Sequence, residues 1–598
     1  MVDYKWIVLS NTTLGGLLAS LDGTILLISL PVILRGVGVD PFLPSSFPIL
    51  LWLLLGYGIV TATLLVTCGR LSDMWGRTRM YNLGFAIFST GSLFLFVEPY
   101  SGPTGAWLLV GFRLIQAVGA SFLFSNSAAL LTDAFPPNER GKAMGINQIA
   151  FIGGSLVGLV TGGILASIPD LHFLGLVLPT WRIIFLVSVP IGVVGTLWAY
   201  LRLREISTRR SRQHVDYLGN VTFAAGLTLI LIAVTYGLLP YGSAPTGWGS
   251  PWVQGGLVAG VALLVGFLFV ESRVRDPMFR LELFRVRAFA AGATATLLGS
   301  IARGGMMLLL VVWFQGIWLP EHGYAFSQVP LWAGILMMPM IGGFLTAGPV
   351  SGWLSDRHGP RLLATLGMLI ASATFFVLAL LPLDFAYWQM GILLYVQGCG
   401  MGMFAAPNTS AVMSAVPPEN RGSASGMLAT LQNTGQQLSL ALFFTIVILG
   451  LSAGLGHSVT QALTAASVGP PDLGILTSAV AANPTGALFG AFLGENPMQT
   501  LLAGAATVPG WTPLPSGVTA TLLAPHFFAD AIGPAFHAAL GEAFVFAGVV
   551  TAIGGVVSAV RGRRFIYGEG AEPGAGLRPT PAAAAGAGPT AANVPARR

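Results

Sequence analysis

Fourteen apolar runs constrain this chain more than any other feature. They lie at about 6–34, 48–69, 79–97, 105–133, 141–167, 181–204, 217–239, 252–274, 288–318, 329–354, 361–382, 387–414, 422–451 and 534–562. An α-helix needs about 20 such residues to cross a bilayer, whereas barrel strands would alternate over about 10. The runs therefore read as helices. Of 598 residues, 54% are hydrophobic and 9% charged, against about 25% charged in soluble domains. The expected fold is an all-α polytopic membrane protein.

Orientation follows from the cations. All but two of the 29 basic residues are arginine, and 25 of them fall at the N-terminus, in alternate connections or in the C-terminal tail. The opposite connections carry only Arg35 and Arg182, and Arg113 and Arg303 lie inside spans. By the positive-inside rule both termini are cytoplasmic, as an even number of spans requires. Short arginine clusters at intervals do not make the continuous basic face of a nucleic-acid binder. Cys68 and Cys399 lie in or beside apolar runs, so no disulfide framework is suggested.

The chain repeats itself. Gly69 to Arg79 (GRLSDMWGRTR) is echoed by Gly352 to Arg361 (GWLSDRHGPR), FPPNERGKAMG by VPPENRGSASG, and Gln116-x-x-Gly119 by Gln397-x-x-Gly400. Two related halves explain this, with the substrate site of such a plan at mid-membrane between them. The expected organisation is a six-helix bundle at 1–205, a two-helix insert at 206–287, five helices at 288–451 and the last helix at 534–562. Between these, 452–533 is a long extracytoplasmic segment with no Lys or Arg. It reads either as a folded cap or pair of helical extensions, or as an apolar guide for a lipid-like substrate. The Gly/Ala/Pro-rich tail, 563–598, reads as disordered.

Several motifs resemble the major facilitator superfamily, specifically its fourteen-helix drug:proton antiporter branch. Gly69-Arg-Leu-Ser-Asp73-x-x-Gly76-Arg77 is similar to that family's loop between helices 2 and 3. Leu21-Asp22-Gly-Thr24-Ile25 with Leu30-Pro31 resembles its helix 1 motif, and Arg113-x-x-Gln116-Ala-x-Gly119 its helix 4 motif. Gly154-x-x-x-Gly158-Leu159-x-x-Gly162-Gly163 resembles the antiporter motif, with Leu159 where the family has proline. Leu27 stands for the usual Asn of helix 1, and Ala117 for a Gly. The resemblance implies two six-helix bundles plus two inserted helices, and proton-coupled export of amphipathic organic compounds such as drugs by alternating access. It implies a small-molecule substrate, protons and membrane lipid as partners. The Arg-heavy, Lys-poor, Ala/Gly-rich residue usage points to a bacterium with a GC-rich genome, and so to a plasma membrane. No enzyme, cofactor or metal is implied.

The residues themselves suggest roles. Gly69 and Gly76 remove Cβ atoms, which suits a tight turn and a close backbone approach. Asp73 can pair with Arg77 four residues on, and could face a helix N-terminus of the other half while the cytoplasmic side is closed. Gly352, Asp356, Gly359 and Arg361 would supply the counterpart gate; the bland alternative is a solvated turn. Asp22 is the sharpest residue, because an Asp at bilayer centre costs about 2.5–3.5 kcal/mol. Counting about 1.5 Å per residue, Asp22 lies about 25 Å and Arg113 about 30 Å from the cytoplasmic ends of their helices. They read either as a proton-coupling pair or as a static pair that orders the bundle.

Gln116, Arg303, Gln315 and Glu542 are candidate cavity residues, with Arg303 a candidate contact for an anionic or lipid headgroup beside a Gly304–Gly305 bend. Trp313, Phe314 and Trp318 would line that cavity or form an interfacial belt. Glu542 could equally snorkel to the interface. The seven histidines show no metal spacing, and no Walker loop is present. Two alternative functions stay open: a lipid exporter using 452–533, and a non-transporting sensor or scaffold. The substrate and the oligomeric state are not legible.

Overall fold

A computed structural model describes residues 3–562, apart from 40–43, 137–138, 174–175, 206–215, 243, 275–276, 278, 326–327, 418–420, 494–495 and 525. The reading of 563–598 as a disordered tail falls outside the described residues.

Six spans form a first bundle: α1 (Tyr4–Val37), α2 (Phe47–Trp75), α3 (Arg77–Val97), α4 (Gly102–Ala134), α5 (Arg140–Ser167), and a sixth broken at Val187 into α6 (Thr180–Leu186) and α7 (Ser188–Arg202). A small antiparallel hairpin, β1 (Leu171–Phe173) and β2 (Leu176–Leu178), joins α5 to α6 with Leu171 opposite Leu178. Next come the inserted helices α8 (Tyr217–Tyr236) and α9 (Pro251–Glu271).

The second bundle begins with α10 (Arg287–Trp313), which runs through a π-turn at Phe314–Trp318 into α11 (Leu319–Glu321). It continues with α12 (Val329–Leu336) and α13 (Met338–His358), α14 (Pro360–Ala379), α15 (Tyr387–Ser414) and α16 (Arg421–Ala465). Short helices α17 (Pro470–Ala481), α18 (Pro484–Leu493), α19 (Met498–Ala505) and α20 (Ser516–Leu522) lead to the last span, α21 (Phe527–Ala559). Among the described residues, fourteen segments are long and apolar enough to cross a membrane.

Some boundaries differ from the apolar runs for local reasons. α16 continues 14 residues past the run at 422–451, because its helix-compatible residues meet no stop until Ser467 adopts a left-handed φ of 64°. The Val468 amide then bonds back to the Leu463 carbonyl, closing the helix end. α21 starts at Phe527 and carries Pro534 inside its early turns, so the proline is not its start.

Side-by-side packing is set by small residues. Gly154, Gly158 and Gly162 on α5 lie on the α1 backbone; a Cβ at each would stand 2.6, 2.4 and 2.9 Å from the carbonyl oxygens of Leu17, Leu21 and Ile25. Within a membrane such close approach replaces the hydrophobic drive that lipid removes. Thr24 donates across to the Ser155 carbonyl (3.0 Å), and Ser29 to that of Gly162 (3.1 Å). The insert touches both bundles: Asn220 and Thr228 of α8 meet Thr67 and Thr63 of α2, and Trp248 donates to Thr445 of α16.

The bundles meet tightly on the face away from the arginine-rich connections, here called the far face. A Cβ on Gly163 would stand 2.6 Å from Leu331 Cα, and one on Gly334 2.9 Å from the Leu159 oxygen. Pro484 to Leu488 of α18 are buried there, against α1 of the first bundle and α10 and the π-turn of the second.

A buried charge cluster in the first bundle and an amide stripe in the second

Helices α1, α3, α4 and α7 converge on one carboxylate. Asp22 (α1) is 1% exposed, and Arg113 (α4) donates through Nη1 to its Oδ2. Gln116, one turn on, donates to Asp22 Oδ1 (2.8 Å) and Ser92 Oγ (2.8 Å) and accepts from Arg113. Ser188 at the start of α7 donates to the same Oδ1 (3.2 Å). Both carboxylate oxygens are thus saturated, which is the condition for burying such a pair. On its other side, the Arg113 guanidinium carbon sits 4.5 Å from the Tyr57 ring centre, a cation–π contact. Arg113 Nε and the Tyr57 hydroxyl have no partner.

The repeated glycines of the two loops have a backbone explanation. Gly76 and Gly359 take φ of 103° and 83°, a left-handed region that other residues rarely adopt, and each lets one helix end and the next begin immediately. Gly69 and Gly352 differ from expectation. A Cβ there would meet Ser125 at 3.8 Å and Ala406 at 3.6 Å, ordinary contact, so no close approach demands glycine. Arg77 donates to both oxygens of Asp133 on α4 (3.0 and 2.9 Å), a partner the spacing argument missed. The side chains of Asp73 and Asp356 lie outside the described residues, and Arg361 is exposed.

In the second bundle the candidates separate. Gln315 is buried in the π-turn and donates across to the Ile28 carbonyl of α1 (3.4 Å), bridging the bundles. Trp313, Phe314 and Trp318 are at most 6% exposed, which rules out a lipid-facing belt. α10 stays helical through Gly304 and Gly305, and the two glycines seat it on α16, with Cβ positions 2.7 Å from the Gln436 oxygen and 2.4 Å from the Phe443 ring. The helix irregularity sits at the π-turn, as is frequent at functional positions. Arg303 makes no hydrogen bond or ion pair with any described residue, and Glu542 is exposed, next to Gly450.

Two features escaped the sequence reading. On α16, TLQNTGQQLS (430–439) carries seven polar residues in ten. Averaged with its apolar flanks it still counts as a span, which hides the stripe. Gln437 of that stripe reaches α2, its Nε2 lying 2.0 Å from where a Gly58 Cβ would be. Arg561, assigned by sequence to the basic tail, is 3% exposed beneath α15 and bonds Asn408. Burial pulls its guanidinium down to about 10.

Comparison with known proteins agrees with this architecture. The chain is 28% identical over 448 residues to the riboflavin transporter RibZ of Clostridioides difficile, covering 73% of this chain and 87% of that one. It is 29% identical over 454 residues to the puromycin resistance protein pur8 of Streptomyces alboniger, covering 75% and 83%. The crystal structure of a bacterial homologue of the human lysosomal transporter Spinster, inward-facing and occupied, superposes with a TM-score of 0.53 at 15% identity, over 94% of this chain and 97% of that one. Residues 12–438 match the profile of the Major Facilitator Superfamily, so this chain of two six-helix bundles and two inserted helices belongs to that superfamily and is a transporter, not an enzyme.

Proposed function

We propose that the protein exports amphipathic organic compounds across a bacterial plasma membrane in exchange for protons, by alternating access. The observation that carries this reading is the Asp22–Arg113–Gln116–Ser188 cluster, a titratable carboxylate held by a cation in the interior of one bundle. Relatives named for riboflavin transport and puromycin resistance support a small organic cargo.

The positive-inside rule makes the arginine-rich face cytoplasmic. Closure of the far face through Gly163, Gly334 and α18 supports an inward-facing conformation. In it Arg113 is paired directly with Asp22, the ion-paired state of the coupling site. Outward opening parts the seam where Gln437 rests against Gly58, and so moves Tyr57, the other neighbour of Arg113. Arg113 then shifts toward the ring and its hold on Asp22 weakens. A carboxyl buried without its cation takes up a proton from outside. The turns at Gly76 and Gly359, with Asp73, Arg77, Asp356 and Arg361, close the cytoplasmic face in that state. Burial of α18 favours a cap over an open lipid guide for 452–533.

The test uses proteoliposomes containing wild type, Asp22→Asn or Asp22→Glu, an internal pH dye and a panel of amphipathic compounds. Substrate-triggered proton flux in wild type and Asp22→Glu, lost in Asp22→Asn while substrate counterflow persists, is the expected result. Equal flux in wild type and Asp22→Asn, or none with any compound, would overturn it.

A further inference from the structure

Arg303 stands about 24 Å along α10 from its start at Arg287, counting about 1.5 Å per residue, well inside the span. It is enclosed by neighbouring side chains yet keeps part of its own surface accessible. No described residue bonds or pairs with it. A partly enclosed cation without a counter-ion is costly at this depth of a membrane unless it faces a water-filled path or an anion.

The second bundle offers no internal carboxylate to balance it. Glu321, Asp384 and Asp530 lie at far-face helix ends or in a connection, Asp356 is at the arginine-rich end of α13, and Glu542 is exposed. The buried carboxylate at the centre of the first bundle, Asp22, is already held by Arg113, Gln116 and Ser188. Beside Arg303, meanwhile, hydrogen-bonding atoms go unused. Gly304 seats α10 on the Gln436 backbone, and a Cβ on Gly435 would stand 2.9 Å from Ser300 Cβ, so the later part of the α16 stripe, from Thr434 to Ser439, runs beside the Ser300–Gly304 turn of α10. There Thr434 Oγ1 and Gln437 Oε1 are buried with no partner among the described residues.

We propose that the substrate is an amphipathic organic anion, whose carboxylate or phosphate head pairs with Arg303 and is completed by the Thr434 hydroxyl of the α16 stripe. The inference rests on the exporter reading above and names its substrate class. A guanidinium presents a planar fork that matches carboxylate and phosphate oxygens two at a time. The hydroxyl of Thr434 supplies a further donor once a ligand is there to accept. Met307 beside it, half-buried, offers adaptable contact for an apolar body. Moving an anion out against an inward proton also runs with an inside-negative potential on both legs.

Binding by the purified full chain in neutral detergent tests this without any gradient. The probes are 2-naphthoate, 2-naphthyl phosphate, 2-naphthylmethanol and 2-naphthylmethylammonium, with wild type, Arg303→Gln, Arg303→Lys and, as a control with nothing within 4 Å of the new methyl, Gly153→Ala. Wild type and Gly153→Ala are expected to bind the two anions about tenfold or more tighter than the alcohol and the ammonium. Arg303→Gln loses that preference and Arg303→Lys retains most of it, which separates lost charge from lost folding. Phosphatidylglycerol nanodiscs that displace naphthoate from wild type identify a lipid headgroup as the source; failure to displace identifies a free acid. Equal naphthoate binding by wild type and Arg303→Gln, or a preference for the ammonium, overturns the proposal. Loss of proton flux with the anion preference intact would sink only the coupling scheme.

Discussion

The two bundles share a frame and differ at its centre. Gly154 and Gly158 of α5 rest on the carbonyls of Leu17 and Leu21; the matching Gly435 and Ser439 of α16 rest on those of Leu297 and Ile301. Gly119 packs on the α3 backbone at Gly84, and Gly400 on the α14 backbone at Gly367. That superposition puts Ala302 where the first bundle has Asp22, Leu394 for Arg113, Phe375 for Ser92, and Gln397 for Gln116. The backbone contacts are kept and the charges are not. Close-packed carbonyl-to-glycine crossings define the architecture twice over, whereas polar contents at the crossing point are free to diverge into separate tasks. One bundle holds a closed ion pair; the other holds an unpaired arginine and an orphaned amide.

The largest effect should come from making the first centre resemble the second by halves. Asp22→Ala leaves Arg113 buried without its anion, a loss of about 3–5 kcal/mol. The double variant Asp22→Ala/Arg113→Leu reproduces the Ala302–Leu394 pairing and should recover most of it, because well-packed apolar replacements of buried pairs are often neutral or better. Gln116→Leu, which strips donors from Asp22 and Ser92, should cost about 1–3 kcal/mol. Thermal unfolding in detergent reads all three. A double variant no more stable than Asp22→Ala would show that the centres are not interchangeable.

A smaller effect concerns closure, where the bundles also differ. Gly163 on α5 faces Leu331 of the other bundle, while its counterpart on α16 is Phe444, buried at 2% exposure. Gly163→Ala puts a methyl group 2.6 Å from a backbone atom, and overpacking of this kind costs about 1–3 kcal/mol in the closed far face. Spin-label distances between the far-face ends of α5 and α12 should therefore lengthen. Gly153→Ala, with nothing within 4 Å of the new methyl, should leave them unchanged. Similar distances in both variants would mean that this crossing does not control closure.

Much of this was legible because it depends on length and local chemistry. Fourteen spans follow from runs of apolar residues, and the turns at Gly76 and Gly359 from paired glycines that need a left-handed φ. Asp22 and Arg113 stood out because charges are rare at that depth, and their compatible depths made them reachable partners. What failed to show was whatever depends on rotation about a helix axis. Nothing in ARGGMM says that its glycines face α16. The polar stripe on α16 vanished into a window average, and Arg561 counted as a loop cation until α15 covered it. The extension of α16 to Ala465 depended on a backbone stop at Ser467 that apolarity does not encode.

The smallest expected effect is the most discriminating. Gln397 is fully buried, and neither its amide oxygen nor its nitrogen has a partner. In the first bundle the same position holds a network together; here Ala302, Leu394 and Phe375 leave it nothing to bond. A buried amide of that kind contributes packing volume and an unmet desolvation cost. Gln397→Leu keeps the volume and removes the polar atoms, so stability should stay level or rise by up to about 1 kcal/mol, opposite in sign to Gln116→Leu. Unfolding midpoints measured side by side decide it. If Gln397→Leu falls as far as Gln116→Leu, the second centre contains a polar partner for Gln397, a bound water or ligand, and the two bundles differ less than their side chains imply. A rise would mean that the amide is idle in this conformation and that the polar work of the second bundle rests on Arg303 and the α16 stripe alone.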